Sequence, residues 1–169
     1  MKEDYSQLKL EVEAGVFKQW QEVDAVVYDF TDIGVKVAIN NEYSGLAYQN
    51  EIFIKLHSGQ KLKAYIKCIR EDGKIDVSFQ PQEGEHVFQA ADKILQVLKE
   101  SGGKSFYSDK SSSEDIKEKF EISKKVFKKA IGMLYKQHKI KIAGGYIEIV
   151  NKNRVDQQKI GVDLLDEVS

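Results

Sequence analysis

The chain has 169 residues, 41% of them hydrophobic and 31% charged, a composition that excludes a disordered or membrane-embedded protein. No apolar run approaches the ~20 residues of a transmembrane helix, and Met1-Lys-Glu-Asp4 has no signal-peptide core. The net charge of −1 is unevenly spread: residues 1–83 sum to −4, residues 84–152 to +5 and residues 153–169 to −2, so an anionic partner is expected for the second part.

Residues 1–21 show no clear period and are read as a leader or linker remnant without an assigned role. Val23–Phe30 then has the β-branched and aromatic content of a first strand, and Thr31–Gly34 is a turn. In the second strand Val35, Val37 and Ile39 share one face, while Lys36 and Ala38 take the other. Asn40-Asn-Glu42 signals a hairpin into Tyr43–Tyr48, and a helical turn near Gln49–Ile52 leads toward a fourth strand from about residue 60. Glu71-Asp-Gly-Lys74 is a tight turn into the last run, Lys74–Phe79. Five strands in this order predict an all-β, OB-type Greek-key barrel over residues 22–82. The single cysteine, Cys68, cannot close an internal disulfide, which fits a reducing cytoplasm. Its place in a strand predicts a small buried hydrophobe.

Pro81, the one proline, marks the expected domain boundary. Beyond it, Val87, Ala91, Ile94, Leu95 and Leu98 form the apolar stripe of a first helix over 86–98, ended by Gly102-Gly103. Ser111 with Glu114 has the spacing of a capping box for a second helix. Ser123 is placed to cap a third, running to about His138 with Val126, Phe127, Ala130, Ile131 and Leu134 inside. Ile140–Ile142 and Tyr146–Val150, joined through Gly144-Gly145, make a hairpin. Three helices and a hairpin are the order of an α+β winged-helix domain, here over 84–150, followed by a polar acidic tail, 151–169.

The third helix carries Lys124, Lys125, Lys128, Lys129 and Lys136 mostly off its apolar stripe, a basic face suited to phosphates or to a protein partner. Apart from Gln137 it lacks the Arg, Asn and Gln side chains that read base edges, so sequence-specific DNA binding is not expected. Catalytic signals are poor. His57, His86 and His138 are scattered, and Gly103-Lys-Ser105 lacks the earlier glycine of a phosphate loop, Leu98 standing there instead. No nucleophile–base set assembles, so the expectation is a protein without enzymatic activity, cofactor or metal.

At Gly34–Ile39, Tyr43–Tyr48, Lys61–Arg70 and Lys74–Phe79 the first part resembles the S1 RNA-binding domain. With Tyr28–Val37, Tyr48–Ile52, Arg70–Pro81 and Ser123–Tyr135, the chain resembles the C-terminal region of the bacterial conserved virulence factor B family, in which S1 domains precede a winged helix. Members of that family usually carry further S1 domains upstream, so a fragment of a longer protein is expected. The resemblance implies RNA binding on strands two and three, in post-transcriptional regulation. Carried over by motif, the two aromatic positions flanking the strand-two glycine are Ile33 and Lys36. The histidine position after Gly-Leu-Val is Tyr48, and Arg70 and Lys74 fall where charges line the groove. Tyr48 would stack a base while Lys36, Arg70 and Lys74 met phosphates. The alternatives are a tyrosine without a ligand and lysines that only solvate the surface. The expected partner is single-stranded RNA. The rival readings are a winged-helix regulator of duplex DNA and a protein-interaction module.

Overall fold

The computed structural model describes residues 4–150, and the acidic tail expected at 151–169 lies outside the described residues. The chain divides between His86 and Val87 into two compact units. In the first, β1 (Glu22–Phe30), β2 (Gly34–Ile39), β3 (Tyr43–Tyr48), β4 (Lys61–Ile69) and β5 (Ile75–Ser78) close a barrel in the order β1-β2-β3-β5-β4. Closure comes from antiparallel pairing of β1 with β4, Glu22 opposite Tyr65 through Val26 opposite Lys61. Only β3 and β5 run parallel. This is the OB-type barrel expected from the sequence, including the turn at Gln49–Glu51, a single turn of 3-10 helix.

Strand pleating sends Val23, Ala25 and Val27, then Val35, Val37 and Ile39, then Ala64 and Ile66, then Ile75 and Val77 into one core. Ala38 departs from the expected alternation: it is buried although it points to the other face. Its methyl group shares a hollow with the longer Asp24, Leu62 and Lys63. Cys68 also departs, because it is exposed rather than buried. The β4–β5 register shifts between Ile66 and Cys68, and this bulge breaks the alternation that would have turned the thiol inward.

Two local constraints hold the sheet in shape. Asn40 and Asn41 both adopt the left-handed conformation (φ 51° and 58°) that their short polar side chains tolerate, which turns β2 back into β3. At Gly34, opposite Tyr48, any Cβ would fall on the carbonyl oxygen of Ala47, so the two strands approach as they do only because a hydrogen stands there.

Residues 4–21 are more than the leader read from the sequence. The Lys9 N–H donates to the Glu42 carbonyl (2.9 Å) and the Ser44 N–H to that of Lys9 (2.9 Å), so the segment pairs at the start of β3. Val12 is buried and donates to the Gly73 carbonyl (2.9 Å), Phe17 packs edge-on against Tyr43, and Tyr5 stacks on Tyr28. The segment is irregular, and irregular backbone leaves no periodic signature.

The second unit contains most of α1 (Glu83–Glu100), with β6 (Lys104–Ser105), α2 (Ser113–Phe120), α3 (Lys124–Lys136), β7 (Ile140–Ala143) and β8 (Tyr146–Ile149). Its core gathers Ile94 and Leu98 of α1, Ile116 and Phe120 of α2, Phe127, Ile131 and Leu134 of α3, and Ile140 and Ile147 of the strands. The order is that of a winged helix. Its sheet has three strands, β6-β8-β7, where the sequence suggested two, because the two residues of β6 are too few to show a period. Ser112, not Ser111, caps α2: its Oγ accepts from the Asp115 N–H at 3.0 Å, and Ser111 Oγ instead accepts from Ser108 N–H at 2.9 Å. Ser123 caps α3 as expected, accepting from Val126 N–H at 3.1 Å. The helix stops at Lys136 because His138 turns left-handed (φ 60°).

Gly34→Ala is expected to cost about 2 kcal/mol or more, since backbone must move to admit the methyl group. Gly132→Ala, in open space on α3, should gain about 0.5–1 kcal/mol. Chemical denaturation of the two variants against the parent checks both signs.

Candidate nucleic-acid interface

Five residues spread over forty-two positions, Ile33, Lys36, Tyr48, Arg70 and Lys74, line one open groove of about 380 Å³ on the barrel wall. Leu10, Thr31, Ser44, Gly45, Leu46 and Ile75 complete the lining. Sheet register produces the convergence. Lys36 on β2 stands opposite Leu46 on β3, Gly34 stands opposite Tyr48, and Leu46 in turn lies beside Asp76 on β5. The Thr31 turn sets the rim: its N–H (2.8 Å) and hydroxyl (3.0 Å) both donate to the Gly34 carbonyl, and its hydroxyl accepts from the Gly34 N–H at 3.1 Å. The Ile33 carbonyl accepts from the Gln49 N–H at 2.9 Å, which ties that rim to the end of β3.

The groove is part apolar and part basic. Ile33 and Leu10 are 60% and 62% exposed, a costly placement for two large aliphatic side chains beside one another's groove. Tyr48 is half-buried and lines the groove beside Ile33. Lys74 is exposed and Lys36 half-buried. Arg70 is less available than the sequence suggested, because its Nε lies 3.2 Å from the Asp76 carboxylate, which is only 13% exposed. Neither atom meets hydrogen-bond geometry, so the pair is held by charge. At the far edge of the segment Lys9 pairs with Glu42 at 3.0 Å; that hydrogen bond and charge raise the ammonium pKa above its ordinary value.

Sequence reasoning missed Leu10 and Asp76. Leu10 reaches the groove only because Lys9 pairs with β3 and Val12 with Gly73, contacts that no local pattern announces. Asp76 was legible as a strand residue, and its position beside Arg70 follows from the register of β5 between β3 and β4.

On the winged helix, Lys125, Lys128, Lys129 and Lys136 are exposed on α3, whereas Lys124, expected with them, is half-buried at the first helical position. Tyr135, 56% exposed and seven residues after Lys128, lies on the same face. The histidines stay apart from this chemistry: His57 and His138 are exposed, and burial lowers the pKa of His86, whose Nε2 has no partner. Among the described residues no group of three or more His, Cys, Asp or Glu side chains is placed to hold a metal ion, and no helix is long and apolar enough to cross a membrane.

A closed five-stranded barrel with an open polar–apolar wall, followed by a winged helix, defines a protein built from two modules of the kinds that meet nucleic acids. Residues 92–149 match the family model of the CvfB-like winged helix domain. The chain is 33% identical over 141 residues to conserved virulence factor B of Staphylococcus epidermidis, covering 82% of this chain and 47% of that protein. It is 34% identical over 135 residues to the protein of the same name in Staphylococcus saprophyticus, covering 80% and 45%. It belongs to the conserved virulence factor B family, and it spans about half the length of the curated relatives it matches. Among solved structures, it is similar to a multidomain protein with nucleic acid binding domains from Streptococcus pneumoniae. That likeness has 33% identity and a TM-score of 0.41, over 89% of this chain and 53% of that one. A second similarity is to GSP13 from Bacillus subtilis, with 22% identity and a TM-score of 0.34, over 37% and 55%.

The Arg70–Asp76 pair gives a direct expectation. Asp76→Asn removes the charge beside the groove's Arg70 and releases it, whereas Glu71→Gln removes one from the exposed turn. On immobilised heparin, Asp76→Asn should elute at higher salt than Glu71→Gln, although both change net charge equally.

Proposed function

We propose that the protein is a non-enzymatic, cytoplasmic RNA-binding protein whose barrel groove holds a single strand, with a role in post-transcriptional regulation. The observation that carries this reading is the convergence of Ile33, Lys36, Tyr48, Arg70 and Lys74 on one open groove. Tyr48 offers a ring to an unpaired base, and Lys36 and Lys74 neutralise phosphates on either side. Arg70, balanced by Asp76, donates hydrogen bonds more than it adds charge. Stacking requires a base free of its partner, which favours a single strand over a duplex. The regulatory role rests on family membership.

One aromatic platform makes a weak site. Ile33 and Lys36 occupy the positions where the S1 resemblance places aromatics, and each lost platform forgoes about 1–3 kcal/mol per base. The exposed lysines of α3 supply affinity of another kind, by releasing counterions from the bound polyanion. The same face supports a second reading, in which α3 leads binding to duplex DNA.

Titrating fluorescein-labelled single-stranded RNA and duplex DNA at two salt concentrations separates these readings. Tyr48→Ala should raise Kd for single-stranded RNA by about 5- to 150-fold. Lys36→Ala should lower the slope of log K against log salt by about 0.7. Duplex preference that is abolished by Lys128→Glu and untouched by Tyr48→Ala would favour the second reading.

A further inference from the structure

Phe106 is 74% exposed, more than any other large hydrophobic side chain exposed among the described residues. A lone exposed ring needs no explanation, but this one is not alone. It meets Tyr146 of β8 edge-on with centroids 6.3 Å apart. The Lys104 ammonium lies 4.0 Å from the centroid of the Tyr146 ring and 5.5 Å from that of Phe106. Lys104, two residues before Phe106, thus caps an aromatic pair on the outer face of the three-stranded sheet.

The register shows what shares that face. Lys104 and Lys141 both stand opposite Glu148, one on each side, so all three side chains project to the surface that carries Tyr146. The other face holds Ser105, Ile140 and Ile147, which are buried. Lys110 reaches the tip: its Nζ lies 4.0 Å from where a Cβ would stand on Gly144, in the turn between β7 and β8. Three lysines and one glutamate therefore stand on or beside the face that carries the exposed Phe106 and the half-buried Tyr146, in the part of the chain whose residues sum to +5.

We propose that this sheet face is a second contact for single-stranded RNA: a base stacks on Phe106, while Lys104, Lys141 and Lys110 meet the flanking phosphates. That the ligand is RNA rests on the reading of the barrel groove; the platform itself stands on its own geometry. A ring on an open sheet surface can stack only on a base that has left its pair, so a duplex gains nothing from Phe106 and meets only the charge of the lysines. The lysines exclude a basic partner. The sheet uses the chemistry by which flat β-surfaces take single strands: aromatic rings for bases, with cations beside them.

The test uses the whole chain with a fluorescein-labelled 20-nucleotide single-stranded RNA and a duplex DNA of equal length. Phe106→Ala should weaken RNA binding at least about fivefold and leave duplex binding within twofold. The thermal midpoint should be unchanged, since the ring buries little. Phe106→Tyr should keep most of the affinity. Ultraviolet crosslinking to 4-thiouridine RNA should label the peptide that contains Phe106. RNA affinity within twofold of the parent in both Phe106→Ala and Lys104→Glu overturns the proposal, as does an equal loss toward duplex DNA. Tyr48→Ala is measured in parallel: a loss there with both Phe106→Ala and Lys104→Glu unaffected sinks this inference alone, and the reverse sinks the barrel reading alone.

Discussion

The close approach of β2 and β3 at Gly34 is the constraint on which the barrel groove depends. A hydrogen at that position lets the backbone of β2 lie against the Ala47 carbonyl, which fixes the register that sets Lys36 across from Leu46 and Tyr48 beside the Thr31 turn. One residue of slip in β2 would turn Lys36 inward and bring Val35 and Val37 out to water. The same core that stabilises the barrel therefore also holds the candidate binding residues on its outside, and neither can move without the other.

Electrostatics divides the labour between the units. The barrel is acidic in sum and sets one of its groove charges, Arg70, against Asp76, so its contribution to an anionic ligand depends on shape and on local donors more than on field. The winged helix has the excess of lysine, distributed over α3 and over the outer face of its sheet. A long-range cationic surface raises affinity for any polyanion, whereas rings such as Tyr48 and Phe106 reward only unpaired bases. Selectivity for single strands and overall affinity therefore reside in different side chains.

Much of this architecture was legible because hydrophobic period reports burial directly. Val35, Val37 and Ile39, or Val126, Ala130 and Leu134, announce a strand and a helix through spacing alone, and both are buried as expected. Errors arose where a local rule had competitors. Ser111 and Ser112 are both able to cap a helix, and the choice between them turned on Ser108, whose N–H claims the Ser111 hydroxyl. Cys68 obeys alternation until a bulge one residue earlier cancels it. The Leu10 wall of the groove had no signal, because its segment is irregular and held by backbone pairing to distant residues.

By itself the sequence determined the two modules, their order and their cores, because side-chain period and turn chemistry are properties of neighbouring residues; the five groove residues came as candidates from its resemblance to the S1 domain. Only the tertiary structure decided that those five meet on one surface, that Leu10 joins them, that Asp76 restrains Arg70, and that Phe106, Tyr146 and Lys104 form a platform. Each of these depends on strand register between segments far apart in the chain. Register is set by the packing of the whole sheet, and a linear pattern does not contain it.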